Sequence, residues 1–169
     1  TTCVLFADGA GAVILKPSDE AGILSTHIHA DGAYSNLLYV PTGVSKKHDP
    51  AVANQSCVIM KGNEVFKVAV NTLGRIVDET LEANQLDKSA IDWLVPHQAN
   101  LRIIDALAKR IEVPADRIYV NLDRYGNTSS AGSIIAFHKH QDDLNKDAVG
   151  VICAFGAGYS IGCVVVKKL

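Results

Sequence analysis

The sequence has no apolar run long enough to span a bilayer, which removes a helical membrane anchor from consideration. It lacks a marked excess of either charge. With a net charge of −2, the chain as a whole has none of the basic surplus of a nucleic-acid binder. The cysteines are few and scattered (Cys3, Cys57, Cys153, Cys163) and form no CxxC pair, so a zinc site is not expected. They lie mostly in apolar runs and read as reduced, buried thiols of a cytosolic protein. Neither these cysteines nor any serine has a sequence setting that would make it a nucleophile. The opening Thr1-Thr2-Cys3-Val4-Leu5-Phe6 reads as strand rather than as a secretory leader. With no initiator methionine and strand character from residue 2, the chain is expected to be a piece of a longer polypeptide.

What is present suits one globular domain. At 169 residues, 48% apolar and 20% charged, the chain can bury a real core. Residues 2–7, 12–16, 23–30, 57–60, 91–95, 118–122, 149–154 and 161–166 read as strands. Asp8-Gly9-Ala10-Gly11 reads as a turn, and residues 42–56 as a mobile surface loop. Residues 62–85, 99–111 and 128–144 read as helices, the last opened by hydroxyl residues suited to capping. Gly74 interrupts the first of these and suggests close packing there. From residue 23 the order is β-α-β-α-β-α-β-β, an α/β class with a five-stranded mixed sheet and helices on both faces. Gly11-Ala12-Val13-Ile14-Leu15-Lys16 reappears as Gly162-Cys163-Val164-Val165-Val166-Lys167. The repeat casts residues 1–21 as the closing strand pair of an earlier equivalent unit, and residues 22–169 as a complete second one.

Two stretches stand out. Pro96-His97-Gln98-Ala99-Asn100 and Gly126-Asn127-Thr128-Ser129 each follow an expected strand and precede an expected helix. This places His97 and Asn127 at the carboxyl ends of neighbouring strands, where open α/β sheets hold ligands. Two neutral donors there can stabilise an oxygen that becomes negative during a reaction. The competing readings are a core histidine bonded to a backbone carbonyl and a turn asparagine, and the residues alone leave both open. His27, His29, His48, His138 and His140 read as strand, loop or helix-surface residues.

Six segments in order resemble the carboxyl-terminal half of the β-ketoacyl-acyl-carrier-protein synthase III family. They are Asp8-Gly9-Ala10-Gly11-Ala12, His29-Ala30-Asp31-Gly32, Gly62-Asn63-Glu64-Val65-Phe66-Lys67, Pro96-His97-Gln98-Ala99-Asn100, Gly126-Asn127-Thr128-Ser129 and Phe155-Gly156-Ala157-Gly158. The resemblance implies a thiolase-like fold of two similar halves. It also implies a condensing enzyme that starts type II fatty-acid synthesis by joining an acyl-coenzyme A primer to malonyl-acyl carrier protein. His97 and Asn127 are then the catalytic pair on the malonyl thioester oxygen, and Ala157 offers a backbone N–H to the acyl-enzyme oxyanion. Gly62, Phe66, Ala99 and Asn100 line the pantetheine tunnel, although Phe66 also suits the core. Lys67, Arg102, Lys109 and Arg110 fall near positions that receive the acidic carrier protein, with Arg102 the strongest of the four.

The resemblance implies no resident cofactor or metal, because the substrate brings its own pantetheine arm. It implies acyl carrier protein, the missing amino-terminal half and a homodimeric intact enzyme as partners, in the cytoplasm. The family's nucleophilic cysteine belongs to the other half, so this chain alone is expected to be inactive. Two other functions fit the sequence: a non-catalytic module that binds carrier protein and pantetheine, and a related thiolase-like synthase acting only on coenzyme A esters.

Overall fold

The structure is a computed structural model that describes residues 4–43 and 57–169. Its centre is a four-stranded mixed sheet. The strands are β1 (Ile23–Ala30), β4 (Trp93–Pro96), β5 (Val149–Gly156) and β6 (Ser160–Lys167), in the order β1-β6-β5-β4. β4 and β5 are parallel, whereas β6 runs antiparallel to both β5 and β1. The short link between β5 and β6 dictates that antiparallel step. A two-stranded ribbon, β2 (Leu38–Tyr39) with β3 (Ile59–Met60), stands apart. Of the expected strand 57–60 only these last two residues pair.

Helices cover both faces. α1 (Gly62–Ala83) buries Val65, Ala69, Leu73, Ile76, Val77 and Leu81, the apolar stripe that its three- and four-residue spacing demands. These side chains meet Leu107 and Ile111 of α2 (Leu101–Ile111) and Val151, Cys153, Cys163 and Val165 of the sheet in one core. Gly74 admits the Arg110 side chain between the helices, since a Cβ there would lie 2.8 Å from Arg110 Cγ. The opposite face carries α4 (Ala131–His140), whose Ala136 packs with Trp93, Val95 and Ala148. Among the described residues no helix is long and apolar enough to cross a membrane.

The structure corrects several expectations. The fifth strand, expected over 118–122, shrinks to a single parallel bridge between Leu94 and Ile118. Beyond it the chain turns into the short helix α3 (Leu122–Tyr125), which carried no periodic signal in four residues. Residues 12–16 form no strand, because no described strand lies beside them to supply a ladder. Residues 2 and 3 of the expected strand 2–7 lie outside the described residues; of the rest, Phe6 makes one parallel bridge to Asn127. Asp8-Gly9-Ala10-Gly11 is no turn. It runs close against the segment that opens α4, where a Cβ on Gly9 would sit 2.7 Å from Thr128 Cβ and one on Gly11 2.8 Å from Ile134 Cβ. The expected loop 42–56 lies outside the described residues after Gly43, and His48 with it.

The expected helices 99–111 and 128–144 begin later than the sequence suggests. Asn100 accepts from the Arg102 N–H at 2.8 Å and so caps α2 at Leu101. Ser129 takes a left-handed φ of 56°, which delays α4 to Ala131. The expected hydroxyl cap is absent: Ser130 precedes α4 without a side-chain cap bond.

Gly150 faces Trp93 across the β4–β5 pair. The indole is 1% exposed and stacks on Phe137 at 5.4 Å and Tyr119 at 5.8 Å. An added Cβ at Gly150 would lie 1.9 Å from two indole carbons, so only a bare backbone fits beneath the ring. Gly150→Ala is expected to lower the unfolding free energy by about 3 kcal/mol, the upper end of overpacking costs. A fall in the urea midpoint at unchanged m-value checks this.

Candidate active site

β4 ends in Pro96, and His97 follows at the carboxyl edge of the sheet. Its backbone N–H donates to Cys153 O at 2.7 Å, which pins the residue to β5. The imidazole meets the Phe155 ring edge-on at 5.3 Å and has no side-chain hydrogen-bond partner among the described residues. Burial pushes its pKa down from 6.5 to about 4, because desolvation penalises the cation. At neutral pH the ring is therefore uncharged and carries one N–H. The core-histidine reading, in which a carbonyl satisfies the ring, does not describe this side chain.

Asn127 is 7% exposed. Its carbonyl takes the Ala7 N–H at 2.9 Å, and its Oδ1 accepts from the Ser129 N–H at 2.9 Å. The second bond makes a turn of the kind asparagine favours. It also fixes which end of the amide is occupied. The Nδ2 group has no partner among the described residues and remains available as a donor. The turn reading thus describes Asn127, and the turn leaves its Nδ2 free to donate.

His97 and Asn127 line one cleft of about 730 Å³. Gly62, Phe66, Ala99, Asn100 and Ala157 line it too, so the structure gathers the residues expected around a bound thioester arm. Phe66 is half-buried against the core and also lines the cleft. Ala157 opens the turn Ala157–Tyr159, in which Gly158 has φ 73° and Tyr159 φ 54°. The amino-termini of α2 and α4 lie just beyond the His97 and Asn127 segments, and their partial positive charge favours an anion.

The four basic residues separate. Arg102 lines the cleft, with its guanidinium 5.6 Å from the centre of the Phe66 ring, a cation–π distance. Lys67 and Lys109 are exposed and lie outside the cleft lining. Arg110 is paired with Asp78 of α1 at 3.1 Å and also lies outside that lining.

Two residues went unrecognised in the sequence. Tyr159 anchors the 157–159 turn: it is 2% exposed, and its hydroxyl lies 3.3 Å from Thr72 Oγ1. Gln98, within the first motif, is 0% exposed. Its place between His97 and Ala99 inside that motif is the signal that could have singled it out. No described cysteine lines the cleft. Burial pushes the Cys163 thiol up to about 11 and the Cys153 thiol well above its ordinary value, which makes both poor thiolates.

Strand order, mixed direction and helices on both faces define a thiolase-like half-domain whose ligand edge carries an imidazole and a carboxamide. The carboxyl-terminal model of 3-oxoacyl-[acyl-carrier-protein] synthase III matches residues 81–168, and the companion model of that family matches residues 1–32. The chain belongs to the 3-oxoacyl-[acyl-carrier-protein] synthase III family. It is 53% identical over 169 residues to a β-ketoacyl-[acyl-carrier-protein] synthase III of Thioalkalivibrio sulfidiphilus, covering 99% of this chain and 52% of that relative. The solved synthase III of Thermus thermophilus superposes with a TM-score of 0.80 at 34% identity, covering 91% of this chain and 48% of that one. The Aquifex aeolicus synthase III gives 0.78 at 32% identity, covering 90% and 46%. The chain thus spans about half the length of the curated relatives it matches.

Proposed function

We propose that this chain is the carboxyl-terminal half of a condensing enzyme that joins an acyl primer to malonyl-acyl carrier protein by decarboxylative Claisen condensation. The observation that carries the reading is a pair of neutral donor groups, the His97 imidazole and the Asn127 Nδ2, neither with a hydrogen-bond partner among the described residues and both residues lining one cleft. In the proposed reaction the bond between the malonyl methylene and its carboxylate breaks and carbon dioxide leaves. The electron pair moves onto the thioester oxygen as an enolate. The imidazole N–H and the Asn127 Nδ2–H hold that oxygen. The enolate carbon then attacks an acyl thioester on a cysteine of the amino-terminal half, and the thiolate departs. Donors set in advance stabilise the enolate more than the uncharged thioester, which lowers the barrier.

The pantetheine arm would run along Gly62, Phe66, Ala99 and Asn100. The Ala157 N–H would serve the acyl-cysteine oxyanion. Acyl carrier protein would dock beside the cleft mouth, with Arg102 placed best to meet it and Lys67 and Lys109 adding longer-range attraction that salt would weaken. Arg110, held by Asp78, would contribute less.

The other half would cover apolar surface that the chain leaves open, notably Ile28 at 80% exposed, Ile14 at 94% and Leu15 at 74%. The separated chain is therefore expected to self-associate, or to bind the added amino-terminal half. Sedimentation velocity checks this, and a clean monomer that ignores that half speaks against it. The function itself is tested by release of carbon dioxide from malonyl-acyl carrier protein by the full-length protein. Absence of release from the wild-type protein overturns the reading.

A further inference from the structure

We propose that Gln98 is a positioning residue whose carboxamide clamps the His97 loop to the segment that leads into Asn127. The inference rests on the reading of His97 and Asn127 as oxyanion donors and names what holds them in register.

The edge of β4 is short of one donor. The Tyr119 N–H donates to Leu94 O at 2.9 Å, the start of a parallel ladder beside β4. The next N–H on β4 able to continue that ladder would come from residue 96, and Pro96 has none. Gln98 fills the gap. Its Nε2 donates to Tyr119 O at 3.0 Å and to Pro96 O at 2.8 Å, while its Oε1 accepts from the Asn121 N–H at 2.9 Å. The side chain acts as an extra peptide unit inserted between two strand edges, with both amide protons and the carbonyl engaged. Asn121 then extends the chain of bonds, its Nδ2 donating to Gly132 O at 3.2 Å at the start of α4. Behind the clamp Gly132 leaves no slack: a Cβ there would sit 3.0 Å from Gln98 Cβ.

His97 is thus held between its own backbone bond to Cys153 and the amide of the residue that follows it. Asn127 is reached from there through two further bonds: the Gly132 N–H donates to Ser129 O at 3.2 Å, and the Ser129 N–H donates to Asn127 Oδ1 at 2.9 Å. Remove the amide, and Tyr119 O and the Asn121 N–H lose their partners in a buried place. Beyond the Tyr119 N–H bond to Leu94 O, the His97 loop then loses its side-chain links across this edge.

Full-length wild-type, Gln98→Met, Gln98→Glu and Gly132→Ala proteins with labelled histidine test this by two measurements: steady-state decarboxylation of malonyl-acyl carrier protein, and NMR titration of the His97 ring. Gln98→Met is expected to lower kcat on the order of 100-fold, the scale of a donor misplaced by about 1 Å, with KM nearly unchanged. Its His97 resonance moves, and the titration midpoint rises from about 4 towards 6.5 as water enters. Gln98→Glu regains rate as pH falls, because a protonated carboxyl can donate to one carbonyl and accept from the Asn121 N–H, whereas a carboxylate donates nothing. Gly132→Ala keeps the amide but crowds it. It shifts His97 in the same direction by less, and it decides the question should Gln98→Met not fold.

A loss of thermal stability alone, with kcat and the His97 resonance unmoved in the folded variants, overturns the proposal. Should the wild-type and His97→Ala proteins release carbon dioxide equally, the oxyanion reading fails. The His97 titration then decides the clamp by itself: a ring that moves in Gln98→Met or Gly132→Ala sustains it, and a ring that does not move overturns it.

Discussion

His97→Ala and Asn127→Ala, each in the full-length protein, are expected to slow carbon dioxide release from malonyl-acyl carrier protein by roughly 100- to 1000-fold. That range corresponds to the removal of one oxyanion donor, about 3–4 kcal/mol of barrier. The loss should appear in kcat, because the donors meet full negative charge only in the transition state. The double variant is expected to lose less than the product of the single effects, since both groups act on one oxygen. A single variant within about threefold of wild type would remove that residue from the reaction; one that raises KM alone would make it a ground-state contact.

The second large effect is on stability. His97 has its pKa lowered from 6.5 to about 4 by burial. The unfolded chain takes up a proton as pH falls below about 6.5, and the folded chain does not until about pH 4. In that window the unfolded state binds more protons, so stability rises with pH and falls as acid is added. Above about pH 6.5 the full stability is present. By pH 4 roughly 3 kcal/mol is expected to be lost, since one proton taken up only by the unfolded chain costs about 1.4 kcal/mol for each pH unit crossed. Urea unfolding followed between pH 4 and pH 8 should show this slope in the wild-type protein, and His97→Gln should lack its part of it. Identical slopes would mean that His97 is not held neutral by burial.

The sheet and its main helices could be read from the sequence because their signals are local. Period-two alternation marks β1 over Ile23–Ala30, and three- and four-residue spacing marks the buried stripe of α1. Where a boundary depends on one side-chain bond, periodicity is silent: Asn100 starts α2 two residues after the expected 99, and Ser129 delays α4. Residues 118–122 carry enough β-branched and apolar character for a strand, yet Pro96 withholds the donor that the ladder needs. That conflict lies between two segments more than 20 residues apart, and no window on either one contains it.

The candidate site was legible in its donors and illegible in its support. His97 announces itself by its place between β4 and α2, whereas Asn127 stands out by an expected strand that the structure replaces with α3. The lowered pKa of His97 follows from the packing of several elements, including the Phe155 ring on β5, which sequence order does not bring near. The anchoring of the 157–159 turn depends on a contact between Tyr159 and Thr72, distant in the chain. The division of the basic residues has the same origin. Arg102 and Arg110 look alike on one helix, and only the approach of α1 gives the first a ring to cover and the second an acid to bind.

Trp93 is the only tryptophan in the sequence, and it sits among aromatic rings away from the cleft lining. Intrinsic emission from the chain therefore reports on the far side of the sheet. It will brighten or shift when the whole sheet comes apart and stay quiet when a thioester enters. Titrations of substrate analogues call for a fluorophore placed beside Phe66, while the native indole serves as an internal monitor that the fold survived each mutation.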